Sequence, residues 1–413
     1  MEAGTASLSP AKPDRGGFPR LLREFDHFGR KTEVTETADV LTFTNEFWTS
    51  DQRRGNGLHE VPYRACFKPE LPAFFIDHLA APGGAVHDPF MGRGTTVVEA
   101  ALKGRPVSGA DINPLSEILA CPRLNPPTMT EIEERLGDVD LNAGCDEGFG
   151  ELLAFYHPET LGSLISLRRY FLDREAAGSL DSTDAFIRMV ATTRLTGHSS
   201  GFFSVYTLPP NQAVSAKRQL EINRKRGQEP PVRDVKALIL KKSRSLLRDM
   251  NDQLREVLGS LPAPNLVTGR AWDTPEVEGG KVEIVITSPP FLDVIDYRAD
   301  NWLRCWFAGI DPSDVEVSTF SRLDQWTEMV NATLIEQRRL LRPGGHVCFE
   351  VGEVRSGTVR LEEMVLEASE GTGLSPVCVV INSQEFTKTS HLWGVDNASR
   401  GTNSHRIVVL RRD

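Results

Sequence analysis

The chain has 413 residues, with 47 Lys and Arg against 57 Asp and Glu, a formal net charge of −10. Hydrophobic residues at 39% and charged residues at 25% allow a sizeable core and exclude wholesale disorder, and the length suits two or three domains or one with a large insertion. No run approaches the roughly 20 apolar residues that span a bilayer, residues 1–20 lack the apolar stretch of a signal peptide, and the six cysteines are scattered without a CxxC pair. A membrane span is excluded, the cytoplasm is the expected compartment, and neither a zinc site nor a disulfide framework is expected.

Residues 1–35 are rich in Gly, Pro, Ser, Arg and Glu without apolar periodicity, which predicts a flexible N-terminal arm. Residues 36–127 read as the first part of an α/β domain. An aromatic-bearing segment from Phe43 to Leu71 leads there into LPAFFIDHLA, whose apolar residues recur at helical spacing. GGAVHDPFMGRGTTVVEAALKGRPVSGADINP then reads as strand, Gly-rich turn, helix, short loop and strand, one βαβ unit of a parallel sheet. Residues 128–260 carry helical periodicity, as in ELLAFYHPETLGSLISLRRYFL, and predict an inserted helical region. Between Lys217 and Asp249 eleven Lys and Arg stand against four acids, in a chain that is acidic overall. Over 261–413 strand signals return in KVEIVITSPPF, LLRPGGHVCFEVGEV, LSPVCVVINSQEF and SHRIVVLRRD, and Pro-Gly-Gly is expected to stop a helix before the second of them. A long loop with Lys388, His391, Trp393, Asn397 and Arg400 joins the last two.

Two constellations carry chemistry. Asp88-Pro89-Phe90-Met91-Gly92-Arg93-Gly94-Thr95-Thr96 closes an apolar strand and opens a helix. Gly92 and Gly94 let the backbone turn tightly and approach a ligand, and helix-start amides hold an anionic group. The next strand ends at Asp111, placed to accept hydrogen bonds from a ribose diol. The third Gly of the dinucleotide fingerprint and the GKS or GKT of a phosphate loop are missing, which disfavours NAD and ATP. In the second constellation, Thr287-Ser288-Pro289-Pro290-Phe291, consecutive prolines cannot continue a sheet and make a rigid turn at the strand's C-terminal end. Phe291 offers a face for stacking a base, and Ser288 with a proline carbonyl offers acceptors for an exocyclic amine.

DPFMGRGTT followed by DINP resembles the S-adenosyl-L-methionine motif of the DNA amino-methyltransferases, and SPPF resembles their catalytic tetrapeptide, (Ser/Asp/Asn)-Pro-Pro-(Tyr/Phe). Ser in first place is similar to the cytosine-N4 enzymes, whereas Asp or Asn is more usual for adenine-N6. The resemblance implies a Rossmann-like α/β methyltransferase sheet with the helical insertion as recognition region. It implies that Asp88, Gly92 and Gly94 surround the methionine part of the cofactor, with Pro89, Phe90, Thr95 and Thr96 beside them, and that Asp111, flanked by Ile112 and Asn113, holds the ribose. RACFKPEL is similar to the element that caps the methionine end, which adds Phe67, Lys68 and Pro69. In TGRAWD, Arg270 stands where relatives often carry an acid, which leaves the adenine contact to Trp272 or Asp273.

The implied reaction is a direct in-line methyl transfer to cytosine N4 at Ser288, Pro289, Pro290 and Phe291, without a covalent intermediate or metal, on a base flipped out of duplex DNA. Lys217, Arg218, Arg224, Lys225, Arg226, Lys241, Lys242 and Arg244 are the expected phosphate contacts. Thr196–Asn211 and the Lys388–Arg400 loop are expected at bases or grooves. Cys121-Pro122 reverses the Pro-Cys order that a C5-cytosine nucleophile needs. A role in restriction–modification or phage defence follows from the resemblance, in the bacterial cytoplasm or nucleoid, with room for a restriction endonuclease or defence-system partner. Adenine N6 in DNA, a base in structured RNA, and a catalytically silent nucleic-acid-binding module are the alternatives.

Overall fold

A computed structural model of the chain describes residues 17–49, 55–63, 66–142, 149–207, 213–290, 297–313, 315, 320, 322–352, 359–383 and 404–413. The described residues form one mixed sheet of nine strands: β1 (Glu33–Thr37), β2 (Val40–Asn45), β3 (Ala85–Asp88), β4 (Val107–Asp111), β5 (Asn265–Thr268), β6 (Val282–Thr287), β7 (Leu341–Val351), β8 (Leu374–Ser383) and β9 (Ser404–Arg412). Their order is β1-β2-β8-β9-β7-β6-β3-β4-β5. The strands from β3 to β7 run parallel to one another, and β9 inserts antiparallel between β7 and β8. All six residues of β6 are buried, the pattern of a parallel strand covered on both faces.

From β3 the chain winds outward to β4 and β5, then returns to place β6 on the other side of β3. The sheet is therefore doubly wound and Rossmann-like, as the strand and helix signals predict. The reversal between β3 and β6 opens a crevice at the C-terminal ends of both strands, where such sheets bind ligands.

Between β4 and β5 lies the predicted helical stretch, with α5 (Met129–Asp138), α6 (Pro158–Ala176), α7 (Ser182–Thr192), α8 (Ala216–Arg226), α9 (Val235–Leu246) and α10 (Asp252–Ser260). Local chemistry sets several of their ends. Thr128 with Glu131 and Asp181 with Asp184 form reciprocal capping boxes, and Gly227 closes α8 at φ +58°. Among the described residues no helix is long and apolar enough to cross a membrane.

Two local expectations are corrected. Composition predicts a flexible arm over residues 1–35, yet Phe18–Glu24 form the helix α1 and Glu33–Thr37 pair with β2. The reason is FPRLL: Pro19 sits in the first turn, where its missing N–H costs nothing, and Phe18 and Leu22 share one buried face. Phe18 meets Phe74 and Phe75 of the helix α2 (Glu70–Leu79) at ring-centroid distances of 6.3 and 6.1 Å. Near the other end, Pro-Gly-Gly does not separate a helix from a strand. The helix α12 (Leu323–Leu340) stops just before it, and residues 343–345 lie inside β7, opposite a register shift between Val282 and Ile284 that Gly344 accommodates at φ +77°. Phe18→Ala should destabilise the fold by about 3 kcal/mol and lower the denaturant midpoint. An unchanged midpoint would mean that α1 contributes nothing to the core.

Candidate active site

The crevice is built from the ends of three strands. Asp88 closes β3 with 2% of its surface exposed. Its Oδ1 accepts from Thr287 Oγ1 at 2.6 Å and from the Phe90 amide at 3.1 Å. Thr96 Oγ1, from the helix α3 (Thr95–Leu102), donates to the Ile286 carbonyl at 3.1 Å. Two hydroxyls thus join the Gly-rich turn to the strand that carries Ser-Pro-Pro. Burial pushes the Asp88 carboxyl up to about 7, against the hydrogen bonds from the Thr287 hydroxyl and the Phe90 amide that favour its charged form.

The glycines divide the work. Gly94 has φ +81°, and a Cβ there would stand 2.6 Å from Cβ of Ala120, so it allows α3 to pack closely. Gly92 has φ +48°, the nearest atom to a Cβ there is a Tyr63 ring carbon at 3.7 Å, and its amide donates to Asp111 Oδ2 at 2.8 Å. Asp111 Oδ1 accepts from the Asn113 amide at 2.9 Å. Burial raises the Asp111 carboxyl above its ordinary value, and the two amides oppose that shift. Each carboxylate oxygen keeps further acceptor capacity.

Between these loops lies a cleft enclosing about 960 Å³ of space, part of it open solvent. Phe67, Asp88, Pro89, Phe90, Gly92, Thr95, Asp111, Ile112, Asn113 and Trp272 line it together with Ser288 and Pro290. Gly94 and Thr96 act behind the wall, through packing and the Ile286 hydrogen bond. Lys68, Pro69, Asp273 and Pro289 are not among the lining residues. Pro69 instead caps α2, and Asp273 is exposed. Phe291, the Lys388–Arg400 loop and residues 208–211 lie outside the described residues.

Tyr63, Phe320 and Met329, which belong to no motif, join the wall, and so do Arg93 of the Gly-rich turn and Arg270 of TGRAWD. Arg93 donates to the carbonyls of His59 at 3.2 Å, Val61 at 2.7 Å and Phe67 at 3.4 Å. The buried Arg123 donates to the carbonyls of Leu58 at 3.0 Å and of Arg93. Arg304 reaches the Pro62 carbonyl at 3.1 Å, with its guanidinium 5.6 Å from the Tyr63 ring centre. Three arginines therefore strap the described residues from Leu58 to Phe67 beside the cleft.

The strap is also tied to the helical insertion. Glu60 accepts from Arg248 at 2.5 Å, Ser245 at 2.9 Å and Lys242 at 3.3 Å, and Asp249 Oδ2 takes the Gly57 amide at 2.8 Å. Burial works to raise the Glu60 carboxyl, but these donors together hold it below its ordinary range. The basic run thus splits. Lys242 is half-buried on Glu60, and Arg244 pairs with Glu133 at 2.7 Å. Lys217, Arg218, Arg224, Lys225, Arg226 and Lys241 are exposed. Of these, Arg218 pairs with Glu221 at 2.7 Å and Arg226 lies 3.9 Å from the Tyr206 ring centre. Among the described residues no group of three His, Cys, Asp or Glu is placed to hold a metal ion.

Residues 22–118 match a family model described as DNA methylase. Over 77% of its length the chain is 21% identical to the Type II methyltransferase M.BsoBI of Geobacillus stearothermophilus, and it spans 66% of that relative. Identity is 31% to the Type II methyltransferase M.MjaII of Methanocaldococcus jannaschii, over 25% of this chain and 21% of that one. It is 30% to the Type II methyltransferase M.MvaI of Kocuria varians, over 30% of this chain and 26% of that one. The methylase match falls on the stretch carrying β3, the Gly-rich turn and Asp111, and with these relatives it supports the resemblance to the DNA amino-methyltransferase family.

Proposed function

We propose that this chain is a DNA methyltransferase that transfers the methyl group of S-adenosyl-L-methionine to the exocyclic N4 amine of cytosine. The observation that carries the reading is that Gly92 and Asp111 line the same cleft as Ser288 and Pro290. S-adenosyl-L-methionine, when bound, supplies an electrophilic methyl group on a sulfonium. The residues present fit it: Asp111 retains acceptors for ribose hydroxyls, Gly92 leaves the turn open, and Phe67, Phe90 and Trp272 offer apolar walls.

Cytosine N4 is a poor nucleophile, because its lone pair is delocalised into the ring. Hydrogen bonds from the amine to Ser288 Oγ and the Pro289 carbonyl favour pyramidalisation and aim the lone pair, so positioning supplies much of the rate. Thr287 and Thr96 hold that turn against the cofactor wall. A base in a duplex reaches the cleft only when flipped out, at a cost of a few kcal/mol, with Phe291 as the stacking face. Ser in first place favours N4 of cytosine over N6 of adenine.

Phosphate contacts fall chiefly to Arg224, Lys225 and Arg226, exposed in the last turn of α8, because Lys242 and Arg244 already neutralise carboxylates of the same chain. The Type II names of the relatives support a role in restriction–modification or phage defence, with a restriction endonuclease or defence-system partner, in the bacterial cytoplasm or nucleoid.

Mass spectrometry of nucleosides from the DNA of a methylation-free host expressing this chain tests the reaction. N4-methylcytosine is expected, with a drop of about 100-fold or more in Ser288→Ala. N6-methyladenine would overturn the target base, and modified RNA alone would overturn the substrate. Reversing Arg224, Lys225 and Arg226 to Glu should weaken DNA binding for all sequences and flatten the slope of log affinity against log salt by about 2–3. An unchanged slope would remove α8 from the interface.

A further inference from the structure

The Ser288-Pro289-Pro290 turn has a mechanical difficulty of its own. Two consecutive prolines supply no N–H, so the Ser288 amide is the one backbone donor among the three residues. Side chains from neighbouring elements add to the hold. On the β3 side Thr96 Oγ1 grips the Ile286 carbonyl and Thr287 Oγ1 grips Asp88, both before the turn begins. Beyond it, the indole Nε1–H of Trp326 donates to the Pro290 carbonyl at 3.0 Å.

Trp326 has none of its surface exposed, and it lies in the first turns of α12, packed in the cluster that includes Val285, Met329 and Val330. A buried indole N–H needs a partner, and this one finds it on the residue that closes the turn. Met329, further along the same helix, lines the cleft beside Pro290. The helix therefore serves as both wall and anchor for the far side of the site.

We propose that Trp326 is a positioning residue for methyl transfer: by fixing the Pro290 carbonyl it keeps Ser288 and the Pro289 carbonyl in the orientation that receives the amine. The inference rests on the reading of Ser-Pro-Pro-Phe as the transfer turn. Trp326 does not touch the reacting atoms. Its loss acts through misplacement of the groups that do, which depresses turnover and leaves ground-state binding in place.

Trp326→Phe keeps a buried ring and removes the donor. Its kcat for methyl transfer should fall about 10- to 100-fold, with KM for cofactor and DNA within about twofold of wild type. Val330→Ala is the control, a truncation in the same cluster that does not touch the hydrogen bond. It should lower Tm while kcat stays within about twofold. Hydrogen exchange of the peptide spanning residues 282–290 gives a reading without substrate, and should accelerate at Ser288 in Trp326→Phe but not in Val330→Ala. Faster exchange in a protein whose wild type methylates neither DNA nor RNA would uphold the positioning role and overturn the transfer reading. Wild-type kcat and exchange in Trp326→Phe would overturn the proposal, and so would equal losses of kcat in the two variants. Should Trp326→Phe fail to fold, the wild-type indole decides: a Trp326 Nε1–H exchanging as fast as an exposed indole overturns the hydrogen bond and the proposal with it.

Discussion

Between the ends of β3 and β6 the Thr287 hydroxyl donates to the Asp88 carboxylate at 2.6 Å, with both side chains sealed from water. An ionised carboxylate buried without partners costs several kcal/mol, so Asp88 is tolerable there only while its acceptors are satisfied. Satisfying them requires a residue from the neighbouring strand and an amide from the following turn. The same contact sets the distance between the Gly-rich turn and Ser-Pro-Pro, two segments that meet only through tertiary structure. The push of the carboxyl up to about 7 is the electrostatic trace of that burial.

The strap shows another way of using charge. Arg93, Arg123 and Arg304 direct N–H groups at main-chain carbonyls of a segment with little regular structure. Such a segment has carbonyls that no ladder satisfies, and a guanidinium, with several donors in a fixed fork, can take more than one at a time. Burial pushes the Arg123 guanidinium down to about 9, and the neighbouring Arg93 adds to that shift. Rigidity beside the cleft thus comes from side chains, whereas the crevice itself is shaped by strands.

The sequence makes the centre of this architecture legible and hides its periphery. The βαβ unit from Ala85 to Asp111 and the prolines after β6 are local patterns, in which glycine, proline and an acid at fixed spacing have few structural solutions. Gly94 and Thr96 belong to the same pattern, but pack and bond behind the wall, a distinction that spacing does not encode. The α1 anchor rests on two apolar residues in a stretch dominated by Gly, Pro and charge, too few to show periodicity. Met329 and Trp326 reach the site from a helix whose amphipathic pattern looks like ordinary core. The basic run is visible as charge, but its pairing with Glu60 and Glu133 is not, because those acids lie on other elements.

The place of β9 bears on how the chain reaches this state. It hydrogen-bonds to β7 on one side and β8 on the other, although both precede it in the chain. Among the described residues the hairpin of β1 and β2, earlier in the chain, joins the sheet through β8. Within the sheet, one flank meets the parallel half through the pairing of Ser404–Arg412 with β7. Closing contacts over such separations carries a large loop-closure entropy and slows folding. Strand order in the sheet therefore departs from chain order, with the earliest strands seated beside two of the last.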